Sequence, residues 1–199
     1  MALRESLKDP VEKPSGLKIT VTDLLLKALG LALQETLEMQ TVWEEGSGPT
    51  AAPIDLGLAI ASERGVVAPV IRDVAALALV EIAIWRQAVT EKARGGRLSL
   101  ADLEGGIGTL SNLGMHRVDQ FQAIISPGQS FILAVGKIAQ RPWVEAGALI
   151  VAPTVTLTLS VDHRVADGAL AARFLERITE IIEHPSRLPW TPAKSNPSH

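Results

Sequence analysis

The 199-residue sequence contains no cysteine and no tyrosine. The first absence excludes a disulfide framework, a thiolate zinc site, an iron–sulfur cluster and a cysteine nucleophile. Aromatic residues make up only 4% of the chain. The core must therefore be filled by Leu, Ile, Val and Ala, and a flat aromatic-lined pocket for sugars, bases or planar cofactors is disfavoured. No run approaches the roughly 18 to 20 apolar residues that a membrane span needs. The start, MALRESLKDPVEK, is charged and has no apolar segment of a secretory signal. No excess of one charge is present either: 22 acidic and 19 basic side chains leave a formal net charge of -3. That balance argues against a protein built to hold nucleic acid. With 47% hydrophobic residues, the length suits one domain with a sizeable core. No membrane, no nucleic acid and a cytoplasmic location are the expectations.

Local signals then divide the chain. Thr20 to Leu37 reads as a buried helix, with Thr22 or Asp23 as cap and Leu24, Leu25, Leu29, Leu33 and Leu37 at helical spacing. Gly46 to Pro53 reads as a polar turn region. Ile54–Ala61 and Val66–Ile71 are short apolar runs joined by Glu63-Arg64-Gly65, where Gly65 suits a β-hairpin. Ala75 to Ala93 returns to helical spacing and Gly95-Gly96 stops it. Ser99 with Asp102 resembles a capping box for a short helix. Strands are expected at Ile107–Leu110, Phe131–Ile138 and Val155–Val161, and a final amphipathic helix from Gly168 to Ile182. The tail from Pro185 is expected to be loose. Strands interleaved irregularly with helices suggest a layered α/β domain.

The most informative segment is VTLTLSVDHRVADGALAARFLERI. An alternating strand runs into Asp162-His163-Arg164, and Asp167-Gly168 opens a helix. A histidine at a strand end can be held with one ring nitrogen facing a cavity, which suits a general base. Asp167 can accept free backbone N–H groups at the helix start or fix a nearby cation. The plainer account, a surface histidine followed by an ordinary Asp cap, fits the same spacing. A metal site is not expected: His163 and Asp167 supply two ligands, and His116, His184 and His199 lie in dissimilar contexts. The glycine-rich run Gly105–Gly114 lacks a phosphate-loop ending. Within it Ser111 is either an oxyanion donor or a turn serine bonding its own backbone. Ser111 is not in a nucleophile elbow, so a serine-hydrolase triad is disfavoured.

Asp162–Gly168, DHRVADG, resembles the HxxxDG signature of the catalytic domain of the dihydrolipoamide acyltransferases, the E2 components of 2-oxoacid dehydrogenase complexes. The chloramphenicol acetyltransferases share its core. The segments KITVTDLLLKALGLAL, IDLGLAIASERGVVAPVIRD, KARGGRLSLADLEGGIGTLSNLGM, FQAIISPGQSFILAVGKI and RPWV follow the same family pattern in order. The similarity runs from about Lys18 to Pro189.

The resemblance implies an α/β fold of the chloramphenicol-acetyltransferase type, two layers with a mixed sheet packed by helices. It implies a catalytic domain over residues 1–189 that lacks the family's usual first helix and strand, followed by a loose tail at 190–199. The chain would start at the helix LRESLK. The absent region holds an arginine expected to pair with the motif's carboxylate. By motif, His163 is the general base, Ser111 the oxyanion donor and Asp167 the supporting carboxylate, with His163 and Ser111 meeting from neighbouring subunits. Asn112, Gly114, Arg164 and Gly168 are expected to bind substrate, and no metal is expected.

The implied reaction moves an acyl group, with acetyl favoured over branched-chain, between coenzyme A and a lipoyl group carried on a domain outside this chain. A thiol with an ordinary pKa near 8.5 needs a base at neutral pH, and an imidazole near 6.5 can serve. The implied partners are two further copies in a homotrimer, alone or within a larger cubic or dodecahedral core, together with a lipoyl domain and the E1 and E3 components. Leu188 and Trp190 are candidate contacts between trimers. His116 stands where the family often has an aromatic residue. A catalytically weak scaffold and a stand-alone acetyltransferase acting on a small acceptor are the alternatives.

Overall fold

The structure, a computed structural model, describes residues 16–63, 65–184 and 188. The expected LRESLK helix, Trp190 and the 190–199 tail lie outside these residues. The chain order is α1 (Val21–Glu35), a 3-10 turn (Leu37–Met39), β1 (Thr41–Glu44), β2 (Gly48–Ala51), β3 (Leu56–Leu58), β4 (Ile60–Ser62), β5 (Gly65–Val67) and β6 (Val70–Ile71). It continues with α2 (Leu79–Arg94), α3 (Leu100–Leu103), β7 (Gly108–Asn112), β8 (Phe131–Val135), β9 (Ala139–Glu145), β10 (Ala148–Thr154), β11 (Leu157–Val161) and α4 (Gly168–Glu183).

A five-stranded mixed sheet, ordered β11-β8-β7-β3-β6, forms one layer. β3, β7 and β8 run parallel, and β6 and β11 are antiparallel edges. β3 and β8 are buried at every position, as central strands covered on both faces are, whereas β7 carries Thr109, Ser111 and Asn112 and is half-buried at its end. Phe131 to Val135 is buried at every position. α4 supplies Leu170, Phe174, Ile178 and Ile181 at helical spacing to the core. Phe174 meets Phe131 edge-on at 5.3 Å. Gly108 is required opposite Phe131, because a Cβ there would run into that ring.

α1 is the second large contributor, and its capping differs from expectation. Thr20, not Thr22 or Asp23, is the N-cap residue. Asp23 is fully buried: one oxygen accepts from the Thr20 N–H and hydroxyl, and the other from Arg86 Nε at 2.6 Å. α1 is thereby tied to α2. Lys27 is also buried, and its ammonium donates to the carbonyls of Ala75 and Leu77, each at 2.7 Å. Burial pushes its pKa down. Leu37, expected on the buried face, is 69% exposed because the helix ends at Glu35.

Two hairpins escape the sequence patterns. β2 lies within the expected polar turn region and pairs with β1 just before it, and β9 pairs with β10 across seven residues each. Pro142 and Pro153 lie within these outer strands, where missing N–H donors are tolerated. The β4–β5 hairpin matches the expected turn, with Gly65 at φ +117. Leu188, expected at a contact between trimers, is buried against the chain's own core. Among the described residues no helix is long and apolar enough to cross a membrane.

Candidate functional site

β11 delivers the chain to the turn 162–167, and the turn is tied at its first residue. The Asp162 N–H donates to the Ser130 carbonyl at 2.7 Å, and the Asp162 carbonyl accepts from Val165 and Ala166. The Asp162 carboxylate accepts from the Arg164 N–H at 3.0 Å and from its guanidinium, at 2.6 Å from Nη2. These bonds, guanidinium first, hold the Asp162 carboxyl below the usual carboxylate range. The Arg164 guanidinium also lies 5.2 Å from the centre of the Trp43 ring. Arg164, expected at a substrate, is thus engaged within its own turn.

His163 stands between these two tied residues. It is exposed, and among the described residues nothing bonds its imidazole. It lines neither of the two described cavities. Asp167 is the N-cap of α4, its Oδ1 accepting from the Leu170 N–H at 2.7 Å. Gly168 opens that helix with open space where a Cβ would be.

Ser111 lies on β7, not in a turn, and among the described residues its hydroxyl has no hydrogen-bond partner. Asn112 and Gly114 follow it. The Asn112 amide donates to Thr22 Oγ1 at 3.1 Å, and its oxygen accepts from the Gly114 N–H at 2.8 Å. A side chain at Gly114 would press on the Gly136 carbonyl. A cavity of about 240 Å³ opens here, with Asn112, Gly114, Thr20 and Thr22 among its walls. A larger, mostly apolar one of about 570 Å³ lies between α1, α4 and the β9–β10 hairpin.

The sheet register separates the two ends. Ser111 stands beside Ala134, which stands beside Thr158; Gly108 stands beside Phe131, which stands beside Val161. His163 continues two residues beyond Val161. At about 3.3 Å per residue the rows of Thr158 and Val161 are about 10 Å apart, and β11 and β7 are separated by a further two strand spacings. His163 and Ser111 of one chain therefore cannot share a reacting group. Among the described residues no group of three His, Asp or Glu side chains could hold a metal ion.

The profile of the 2-oxoacid dehydrogenase acyltransferase catalytic domain matches residues 1–189. The chain belongs to that family. Within this acyltransferase family, the acetyltransferase component of the pyruvate dehydrogenase complex of Rickettsia typhi is 35% identical over 183 residues, 92% of this chain and 45% of that protein. The chain spans less than half the length of the curated relatives it matches. Azotobacter vinelandii dihydrolipoamide acetyltransferase, whose catalytic serine, histidine and asparagine have been investigated by crystallography and enzymology, superimposes with a TM-score of 0.89 at 30% identity, covering 94% of this chain and 77% of that one. The cubic core of a pyruvate dehydrogenase multienzyme complex gives 0.86 at 32% identity, with 91% and 75% covered. Chloramphenicol acetyltransferase, at 15% identity and 0.54, shares the fold. That likeness agrees with the mixed sheet and helical layer expected of the acyltransferase domain.

Trp43, Ser130 and Asp162 were not singled out by motif, although all three bear on the His163 turn. The Asp-x-Arg spacing of Asp162 and Arg164 was the one local signal. Trp43 and Ser130 are remote in sequence and carry none.

Proposed function

We propose that this chain is the acyltransferase core of a 2-oxoacid dehydrogenase complex, moving an acetyl group between coenzyme A and a dihydrolipoyl thiol in a reducing intracellular compartment. The carrying observation is that His163 presents an exposed imidazole, unbonded among the described residues, on a turn whose neighbouring charges are already paired. That imidazole takes the proton from the attacking thiol. The thiolate attacks the thioester carbonyl, and the tetrahedral oxyanion accepts a hydrogen bond from a Ser111 hydroxyl. Collapse expels the other thiolate, which recovers the proton from the His163 imidazolium. Charge and atoms balance without a metal. Asp167 shapes the site by capping α4, and Asn112 and Gly114 form the wall beside Ser111.

The register supports a Ser111 hydroxyl supplied by a second copy. The separations of Ser111, His163 and Asp167 equal those of the serine, histidine and asparagine investigated in the Azotobacter enzyme, with Asp here at the last position. The β9–β10 hairpin supports assembly: its paired residues put Val144, Leu149, Pro142 and Val151 on one face. Val144, Leu149 and Val151 are 66%, 75% and 72% exposed, which a neighbouring copy in a trimer or larger core would cover. A lipoyl domain and the E1 and E3 components complete the complex in this reading.

The test is acetyl transfer from acetyl-CoA to dihydrolipoamide by the full chain. His163→Ala should lower kcat by about 100- to 10,000-fold, and Ser111→Ala by about 100- to 1000-fold. A folded His163→Ala protein as active as the unmodified chain overturns the assignment.

A further inference from the structure

The base reading leaves open what holds the His163 turn still, because β11 ends two residues earlier. We propose that Trp43 is a positioning residue for His163, acting through Arg164 and Asp162. This inference rests on the acyltransferase reading for its catalytic consequence, but the clamp itself is a property of the structure.

His163 is the single residue between Asp162 and Arg164, so fixing both fixes its backbone. Asp162 is held through its main chain by Ser130 and through its carboxylate by Arg164. Nε of Arg164 meets both carboxylate oxygens, at 3.0 and 3.1 Å, and Nη2 meets one at 2.6 Å. This planar, multiply bonded geometry needs a guanidinium. Yet the Arg164 side chain is 61% exposed, and an exposed ion pair alone gives little rigidity.

The indole of Trp43 supplies a flat surface at 5.2 Å for that guanidinium. Trp43 is half-buried on β1, and the fully buried Ser130 locks β1 to the same turn. The Ser130 hydroxyl donates to the Thr41 carbonyl, and its own carbonyl accepts from Asp162. One serine thus bonds both the strand that carries Trp43 and the turn that carries His163. The hydrogen bond to Asp162, with the negative charges of Asp162 and Glu45, raises the guanidinium pKa.

Trp43→Ala, Trp43→Phe, Arg164→Lys, Arg164→Ala and Trp43→Ala/Arg164→Ala are compared in the full chain. Displacing a catalytic group by a fraction of its length lowers the rate without weakening substrate affinity. Trp43→Ala should therefore lower kcat by about ten- to a hundred-fold while KM for acetyl-CoA changes less than about two-fold. Trp43→Phe, which keeps a flat ring, should recover most of the rate. Arg164→Lys, which cannot bond both oxygens, should resemble Trp43→Ala. The double variant should be no worse than Arg164→Ala alone, because both act on one clamp.

A readout independent of activity is the His163 ring resonance in protein labelled with 13C-histidine, assigned by its loss in His163→Ala. It should shift and sharpen in Trp43→Ala and stay in place in Trp43→Phe. An unchanged resonance, or an unchanged kcat in Trp43→Ala, overturns the clamp. If Trp43→Ala fails to fold, Trp43→Phe with Arg164→Lys decides: a resonance that moves in neither overturns it. An inactive unmodified chain, or an active His163→Ala protein, would instead sink the acyltransferase reading and leave the resonance to judge the clamp.

Discussion

Asp167 and Asp102 are both helix-start carboxylates, yet their partners make them different groups. Asp167 accepts one backbone N–H and stays exposed at the end of the His163 turn. Asp102 accepts from the Ser99 N–H and hydroxyl at 2.8 Å each, and from Lys92 at 3.1 Å. These bonds, the Ser99 N–H first, lower its pKa to about 2. Because the folded value lies below the ordinary one, the contribution to stability is present above the ordinary carboxylate pKa and fades as pH falls toward 2. Ser99→Ala removes the hydroxyl and keeps the N–H, so the Asp102 carboxyl should titrate higher in a 13C NMR pH series. A titration still near 2 would show that the hydroxyl does not set the value. The Ser99–Asp102 box was legible in the sequence because both partners sit within one turn. The state of Ser111 was not, since whether its hydroxyl bonds its own backbone depends on β7 lying between β8 and β3.

Elements followed the same division between local and remote causes. α4 and the core of α1 were readable from apolar spacing, and β11 from strict alternation. The β1–β2 and β9–β10 hairpins were not: β1 and β2 are short and only half-buried, the apolar face of β9–β10 is largely exposed, and prolines interrupt both. The cap of α1 was misplaced for a related reason: Asp23 turns inward to Arg86, sixty-three residues along the chain. Removing that partner leaves a fully buried carboxylate bonded only by Thr20. Arg86→Leu should therefore destabilise the chain by about 3–5 kcal/mol, read as a shift of the urea midpoint at unchanged m. A midpoint within experimental scatter of the unmodified protein would mean that Asp23 is satisfied without α2.

For the whole molecule, the motif residues were legible and their separation was not. DHRVADG and the Ser111 segment identify a family, but only the sheet register shows that they lie at opposite ends of the sheet, on strands with β8 between them. In the proposed reading the site is one that a single chain does not build, formed when the His163 turn of one copy meets the Ser111 strand of another. Light scattering on the full chain should then report a trimer or larger assembly at micromolar concentration, and a monomer would leave the Ser111 role without a donor.

The most direct measurement is subunit complementation between His163→Ala and Ser111→Ala chains. Each variant alone should be nearly inactive in acetyl transfer. Denatured together and refolded as mixed assemblies, they should recover about a quarter of the unmodified activity, the share of interfaces that pair an intact His163 with an intact Ser111. Mixed assemblies no more active than the separate variants, with mixing verified by a mass tag on one chain, would contradict a site shared between copies.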